Sequence, residues 1–202
     1  MRLFYTLGSP YARMVRIGLL ETGLNARVQE QEVTLRDPDS ALLPHNPVGR
    51  VPTLELDDGM ILTESLLILQ YIDAVQTGAK LLPRDGSDHW RVLSEMGLAT
   101  GFLEGIVTWG RMLRNPENER ARAVLELEMI RTNRTADALE QSIAQGAYAG
   151  PDMNTARIVL GCTLGWVELR HTVWKWREKR PALSAWYDTI MAAPSFQATL
   201  PI

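Results

Sequence analysis

Every strand signal in this chain falls in its first third, and from about residue 87 onward the sequence carries only helical patterns. That asymmetry excludes one continuous sheet and restricts the chain to a mixed α/β unit followed by an all-helical one. Residues 2–7 read as a short strand, after which Gly8, Ser9 and Pro10 form a turn into a helix that runs to about Thr22 and is closed by Gly23. Residues 27–33 alternate Val28, Glu30 and Glu32 with Arg27, Gln29 and Gln31, a poor amphipathic pattern that suits an exposed edge strand. Residues 37–49 carry Pro38, Pro44, Asn46 and Pro47, which favour a short helix or irregular loop. Asp57, Asp58 and Gly59 between the apolar runs 53–56 and 60–62 predict a hairpin. Leu67, Ile68, Tyr71, Ile72 and Val75 then fall at helical spacing, until Gly78 and Pro83 break the pattern.

The N-terminal order is therefore β-α-β, loop, β-β-α, an α+β arrangement. Residues 90–113, 117–145, 154–173 and 181–191 are predicted helices of an all-α C-terminal domain. The composition shift near residue 84 divides the chain into a first domain over 1–78, a linker over 79–86 and a helical domain over 87–202. At 202 residues the chain is long enough for two cores of ordinary size without disulfide staples.

Charge and cysteine usage exclude several function classes. Lys and Arg total 21 against 24 Asp and Glu, a formal charge of -3, so no general attraction to nucleic acid or anionic lipid is expected. The single Cys162 allows no intrachain disulfide and no all-cysteine metal site, and its place in an apolar stretch reads as a small buried core residue. A reducing, cytoplasmic setting fits that usage. The start of the chain has no basic stretch, long apolar core and small-residue cleavage site in series, so no signal peptide is expected there. The apolar segments 66–72 and 158–167 are too short or too interrupted to span a bilayer. Phosphate-binding glycine loops, HExxH pairs and Gly-x-Ser-x-Gly elbows are missing from the sequence.

Four local features in order carry a resemblance. They are Ser9-Pro10-Tyr11-Ala12-Arg13 after the first strand, Asn46-Pro47-Val48-Gly49-Arg50-Val51-Pro52, Thr63-Glu64-Ser65 before the third predicted helix-forming stretch of this half, and the helical remainder. The likeness continues through Leu160-Gly161-Cys162-Thr163-Leu164-Gly165-Trp166 and through 194–201, ending at Pro201. In this set the chain resembles the cytosolic glutathione S-transferase family, in a bacterial-like form with a serine-type active-site turn. The resemblance implies a thioredoxin-like N-terminal domain that binds glutathione, no metal, and a homodimer.

It also implies roles for particular residues. The Val51-Pro52 bond would be cis, with the Val51 main chain facing a groove that takes an extended peptide like an added strand. Ser65 and its amide would hold the γ-glutamyl carboxylate at a helix start, and Glu64 would meet the α-ammonium. Helix capping by Thr63 or Ser65 is the plainer role for the same residues. Arg50 would meet the glycyl carboxylate, with His45 and Arg36 as alternatives. Ser9 is the candidate catalytic hydroxyl, since Pro10 suits a first helical position and Ser9 the cap before it, and Tyr5 is the rival hydroxyl.

Tyr11, Trp109, Met112 and Trp166 are candidates for a pocket that receives a hydrophobic electrophile, although Trp109 also falls in a core-like stripe with Phe102, Ile106 and Leu113. The implied reaction is conjugation of the glutathione thiolate to that electrophile. A glutathione-dependent isomerase or lyase, and a noncatalytic binding protein of the same fold, are the alternatives. Near residue 154 the family usually pairs a Ser or Thr with an Asp three residues on. Here Asn154 can cap and Met153 can staple onto Ile158, but Arg157 cannot return the reciprocal bond, which questions the helix's local stability.

Overall fold

The computed structural model describes residues 1–171 and 173–200. Thr172, inside the helix expected over 154–173, and Pro201, at the end of the terminal likeness, lie outside the described residues. The N-terminal half is a four-stranded mixed sheet with helices, formed by β1 (Arg2–Tyr5), α1 (Pro10–Glu21), β2 (Gln29–Glu32), β3 (Thr53–Glu55), β4 (Ile61–Thr63) and α2 (Ser65–Val75). The strand order is β2-β1-β3-β4. β1 runs parallel to β2, so the chain must cross over between them, and α1 is that crossover.

Sequence explains which strand sits where. β1 is central and buries Leu3 and Phe4 completely, whereas β2 is the polar run Gln-Glu-Gln-Glu with mostly exposed side chains. A charged edge resists pairing with another chain, which is why this segment can stand at the margin of the sheet. β3 pairs antiparallel with β1 and with β4, joined to the latter through the Asp57-Asp58-Gly59 turn, where Gly59 takes φ 86°.

The helical half comprises α3 (Gly86–Met112), α4 (Arg122–Ala144), α5 (Thr155–Arg170), α6 (Pro181–Met191) and α7 (Pro194–Ala198). The helix expected from 117 begins at Arg122, because residues 117–119 form a separate 3-10 turn. The helix expected from 90 begins at Gly86, inside the span expected to be linker. That span is no loose tether. Leu81 is fully buried, its N–H donates to Asp73 Oδ1 at 2.6 Å, and its carbonyl accepts from the Thr155 N–H at 2.8 Å.

α5 is buried from Thr155 through Val167 and packs against both α1 and α3. One apolar cluster therefore runs from Leu3, Met14 and Ile68 in the first half to Leu164 and Leu183 in the second. Cys162 lies inside it, fully buried, its thiol pushed up to about 12 by loss of hydration. The α5 start is better held than its sequence suggests. Asn154 Oδ1 accepts from the Arg157 N–H at 3.0 Å, and the Arg157 guanidinium donates to the Gly150 and Asp152 carbonyls, both at 2.6 Å. Arg157 returns no bond to the cap amide, but it ties down the loop before the helix.

Among the described residues no helix is long and apolar enough to cross a membrane, and no group of three or more potential metal-ligating side chains occurs.

His171, just past α5, is 1% exposed, and neither ring nitrogen has a partner within the described residues. Its ring packs on Trp109 with centroids 4.0 Å apart, and burial lowers its pKa below the ordinary 6.5. The native ring stays neutral while the unfolded one takes a proton, so its stabilising contribution is complete above about pH 6.5 and declines as pH falls toward the folded pKa. Thermal unfolding followed between about pH 7.5 and 5.5 should show a falling midpoint. In His171→Phe that slope should flatten; an unchanged slope would assign it to other groups.

Candidate functional site

Strand register brings three separate segments to one end of the sheet. Phe4 stands opposite Thr53, and Thr53 opposite Thr63. The C-terminal end of β1, the N-terminal end of β3 and the C-terminal end of β4 are therefore neighbours. Each leads at once into a segment of interest: the turn to Ser9, the Val51-Pro52 pair, and Glu64-Ser65. With strands about 4.8 Å apart, β1 and β4 are roughly 10 Å apart across β3. That is about the reach of an extended tripeptide.

Ser9 is the N-cap of α1, with Pro10 in the first turn. Its Oγ accepts from the Ala12 N–H at 3.2 Å, and its hydroxyl proton has no acceptor within the described residues. Tyr5 is half-buried against the small cluster of Phe4, Ala12, Val33, Leu42 and Val51. The Arg16 guanidinium, paired with Glu30 at 2.9 Å, lies 4.7 Å above the Tyr5 ring.

The Val51-Pro52 peptide is cis. Neither the N–H nor the C=O of Val51 is hydrogen-bonded within the described residues. The loop before it is held by Asn46, which is 2% exposed: its Nδ2 donates to the Arg50 carbonyl at 3.0 Å and to Thr53 Oγ1 at 2.9 Å, while its Oδ1 accepts from the Val48 N–H. One buried amide thus positions both flanks of the cis pair.

At the start of α2, Glu64 occupies the cap position with φ 67°, a conformation costly for a residue with a Cβ. Side-chain capping, expected from Thr63 or Ser65, is not observed: among the described residues no side chain bonds the free N–H groups of this helix. The Ser65 hydroxyl and the exposed Glu64 carboxylate also lack partners within the described residues. The positive φ turns Glu64 away from cap geometry and leaves an open helix start, suited to an anion.

The basic candidates separate by position. His45 lies between Arg2, at 3.3 Å, and Glu55, at 3.6 Å, and its ring packs on Phe4. Arg2 stands opposite Glu55, at the other end of the ladder from Thr53, so His45 is directed to the far end of the sheet. Arg50 is exposed and unpaired among the described residues, and its charge acts on the Tyr11 phenol.

The aromatic candidates divide as well. Trp109 is 4% and Trp166 5% exposed, both committed to helix packing and not to an open wall. Trp109 packs edge-on against His171 and tilted against Trp174, and Trp166 fills the space left by Gly110, where a Cβ would come within 2.5 Å of its ring. Helical periodicity could not say whether either faced a pocket. Met112, the last residue of α3, and Tyr11 are half-buried, and Tyr11 stands at the junction of the two halves. The Tyr11 hydroxyl donates to Glu104 Oε1 at 2.6 Å, linking α1 to α3. Glu104 carried no sequence signal, since its partner is 93 positions away.

Known proteins agree with this architecture. The pattern of the glutathione S-transferase N-terminal domain matches residues 3–80, and that of the C-terminal domain matches residues 122–189. A glutathione transferase family member from Pseudomonas fluorescens Pf-5, solved with bound glutathione, is 36% identical, with coverage of 100% of this chain and 98% of that one and a TM-score of 0.90. The chain belongs to the glutathione S-transferase family. The same relative solved with bound S-(propanoic acid)-glutathione is 35% identical over the whole of both chains, with a TM-score of 0.88. A glutathione S-transferase from Methylobacillus flagellatus KT, with glutathione bound, is 32% identical and covers 100% of this chain and 99% of its own, at a TM-score of 0.91. The uncharacterized GST-like protein YibF of Escherichia coli K12 is 27% identical, with 100% of this chain and 98% of that one covered.

Tyr11 offers a direct probe of this junction in a glutathione S-transferase family chain. Burial first, and the Glu104 carboxylate second, raise its pKa above the ordinary 10.0, with Arg111 and Arg50 pulling the other way. An alkaline absorbance titration, read as parent minus Tyr11→Phe, should place Tyr11 ionisation above that value. Glu104→Gln should lower it while burial keeps it elevated. If Glu104→Gln leaves the titration in place, the carboxylate does not act on the phenol.

Proposed function

We propose that this chain is a glutathione S-transferase that binds glutathione along the end of the sheet and conjugates its thiolate to an electrophile held at the junction of the two halves. The observation that carries the proposal is the convergence of unbonded donors and acceptors at tripeptide spacing: the Ser9 hydroxyl, the Val51 main chain, and Ser65 with the open start of α2. The glutathione-bound relatives support the same assignment.

In this arrangement the cysteinyl main chain pairs with Val51 as an added strand would. Ser65 and the α2 amides take the γ-glutamyl carboxylate, Glu64 takes the α-ammonium, and Arg50 takes the glycyl carboxylate. The sulfur lies toward Ser9. A thiol of ordinary pKa about 8.5 needs a shift of about two units to be mostly ionised at neutral pH, which is about 2.7 kcal/mol. The start of α1 contributes about 0.3 to 1 kcal/mol, or up to about 2 in a favourable site, so the dipole alone falls short. A hydroxyl bond to the charged sulfur, about 1.5 to 3 kcal/mol, closes the gap. The thiolate then forms a carbon–sulfur bond as the leaving group departs with its electron pair, or adds to an activated double bond that is subsequently protonated. A relative's complex with S-(propanoic acid)-glutathione is consistent with room beyond the sulfur.

We place the enzyme in the cytoplasm, in a detoxification role, and as a homodimer. Apolar side chains left on the helical surface, Trp90 at 70%, Ile130 at 61% and Leu67 at 56% exposure, are what such an interface would cover. Sedimentation at micromolar concentration tests the dimer.

Turnover of an activated aryl halide should consume glutathione; its regeneration with a candidate substrate would identify an isomerase or lyase instead. Glu64→Ala and Ser65→Ala should each weaken glutathione by about 1.5 to 3 kcal/mol, roughly 10- to 150-fold in Kd, with the fold retained. Equal binding by both variants would mean the γ-glutamyl end lies elsewhere. Ser9→Ala should raise the pKa of bound glutathione, followed by thiolate absorbance, with little change in affinity at low pH. If Tyr5→Phe moves that titration and Ser9→Ala does not, the hydroxyl belongs to Tyr5.

A further inference from the structure

Among the described residues six arginines are met by acids: Arg2 by Glu55, Arg16 by Glu30, Arg91 by Asp88 and Glu95, Arg131 by Glu128, Arg177 by Glu168 and Asp188, and Arg180 by Asp137. At the junction beside Ser9 three arginines without such a pair come together. Arg111, at the end of α3, Arg114, just past it, and Arg170, at the end of α5, make no ion pair or side-chain hydrogen bond within the described residues. They are nevertheless close together. The Arg170 guanidinium lies over the active-site turn, where a Cβ on Gly8 would come within 2.9 Å of it. The Arg114 guanidinium lies 5.9 Å from the Trp166 ring centre, and the charges of Arg170, Arg111 and Arg36 all act on it. The same crowding, after partial loss of water, holds its pKa below the ordinary value.

Gathering like charges is unfavourable unless opposite charge is close by. Glu104, which accepts from Tyr11, keeps its negative charge and offsets one of these positive charges, leaving a surplus. Glutathione would not relieve the excess. In the reading above its two carboxylates are met by Ser65 with the α2 start and by Arg50. The surplus lies on the sulfur side, where the second substrate must come. A neutral, apolar electrophile there would strip water from guanidinium groups and offer nothing in return. A carboxylate would meet them through short, paired, charge-assisted bonds.

We infer that the second substrate carries a negative charge, a carboxylate or a group of the same chemistry, received by Arg111, Arg114 and Arg170 beside the glutathione sulfur. The inference rests on the glutathione S-transferase reading and replaces a wholly hydrophobic electrophile with one that has an anionic end. The charged group takes no part in bond making. It sets the orientation of the electrophilic carbon toward the sulfur and draws the substrate in.

Calorimetric titration with glutathione, S-(4-carboxybenzyl)glutathione and S-(4-carbamoylbenzyl)glutathione tests this, since the two conjugates share a shape and differ in charge. The acid should bind the parent at least about tenfold more tightly than the amide, a preference of the size expected for charge-assisted bonds. The ratio should shrink as salt rises and should fall toward one in Arg114→Gln/Arg170→Gln, two exposed positions where the substitution keeps the stem. A ratio near one in the parent with glutathione still binding, or a salt-insensitive ratio, or a ratio preserved in the double variant, overturns the inference and leaves the transferase reading standing. Failure of glutathione itself to bind the parent overturns both.

Discussion

The site depends on the register of three strands. With Phe4 opposite Thr53 and Thr53 opposite Thr63, the exits of β1 and β4 and the entry to β3 meet at one end of the sheet. A slip of one residue would turn Leu3 and Leu54 out of the core and move every loop at that end relative to its neighbours. The register is secured because Leu3 and Leu54 are fully buried, while Asn46 bonds both the Arg50 carbonyl and Thr53. Packing and loop geometry thus impose the same alignment.

A second consequence of packing is that the two halves do not have separate interiors. α5 is apolar on nearly all sides because neighbours surround it, with α1 from the sheet domain on one flank and α3 on another. Arg13 of α1 adds a polar tie, its buried guanidinium donating to the Phe196 carbonyl at 3.0 Å. The junction where the second substrate is proposed to bind is therefore backed by a continuous core and not by a hinge. Its chemistry comes from groups at and just beyond helix ends, where long side chains can reach across: Arg170 from α5, Arg111 from α3 and Arg114 just past it, Tyr11 from the start of α1. Positive charge at the ends of α3 and α5 is also stabilised by the negative ends of those helices, which helps explain how such a cluster is tolerated.

Local chemistry made much of this structure legible in the sequence. Ser9 before Pro10 starts α1, Asp58-Gly59 turns the hairpin, the Gln-Glu-Gln-Glu run forms an edge, and the absence of strand signals after residue 87 leaves a helical second half. Each of these is governed by residues within a few positions of one another, so sequence proximity is enough. The order of the motifs was equally accessible, and with it the family. What the tertiary structure alone decided involves residues far apart in the chain. His45 is drawn to Arg2 and Glu55, Trp109 and Trp166 are enclosed by α5 and its neighbours, Glu104 meets Tyr11, and Arg170 lies over Gly8 within reach of Arg114. Periodicity reports that a side chain is on an apolar face but not what that face meets, and charge counts average over the whole surface. Distance between remote groups is set by how the sheet and helices close on one another, and that information exists only once the core has formed.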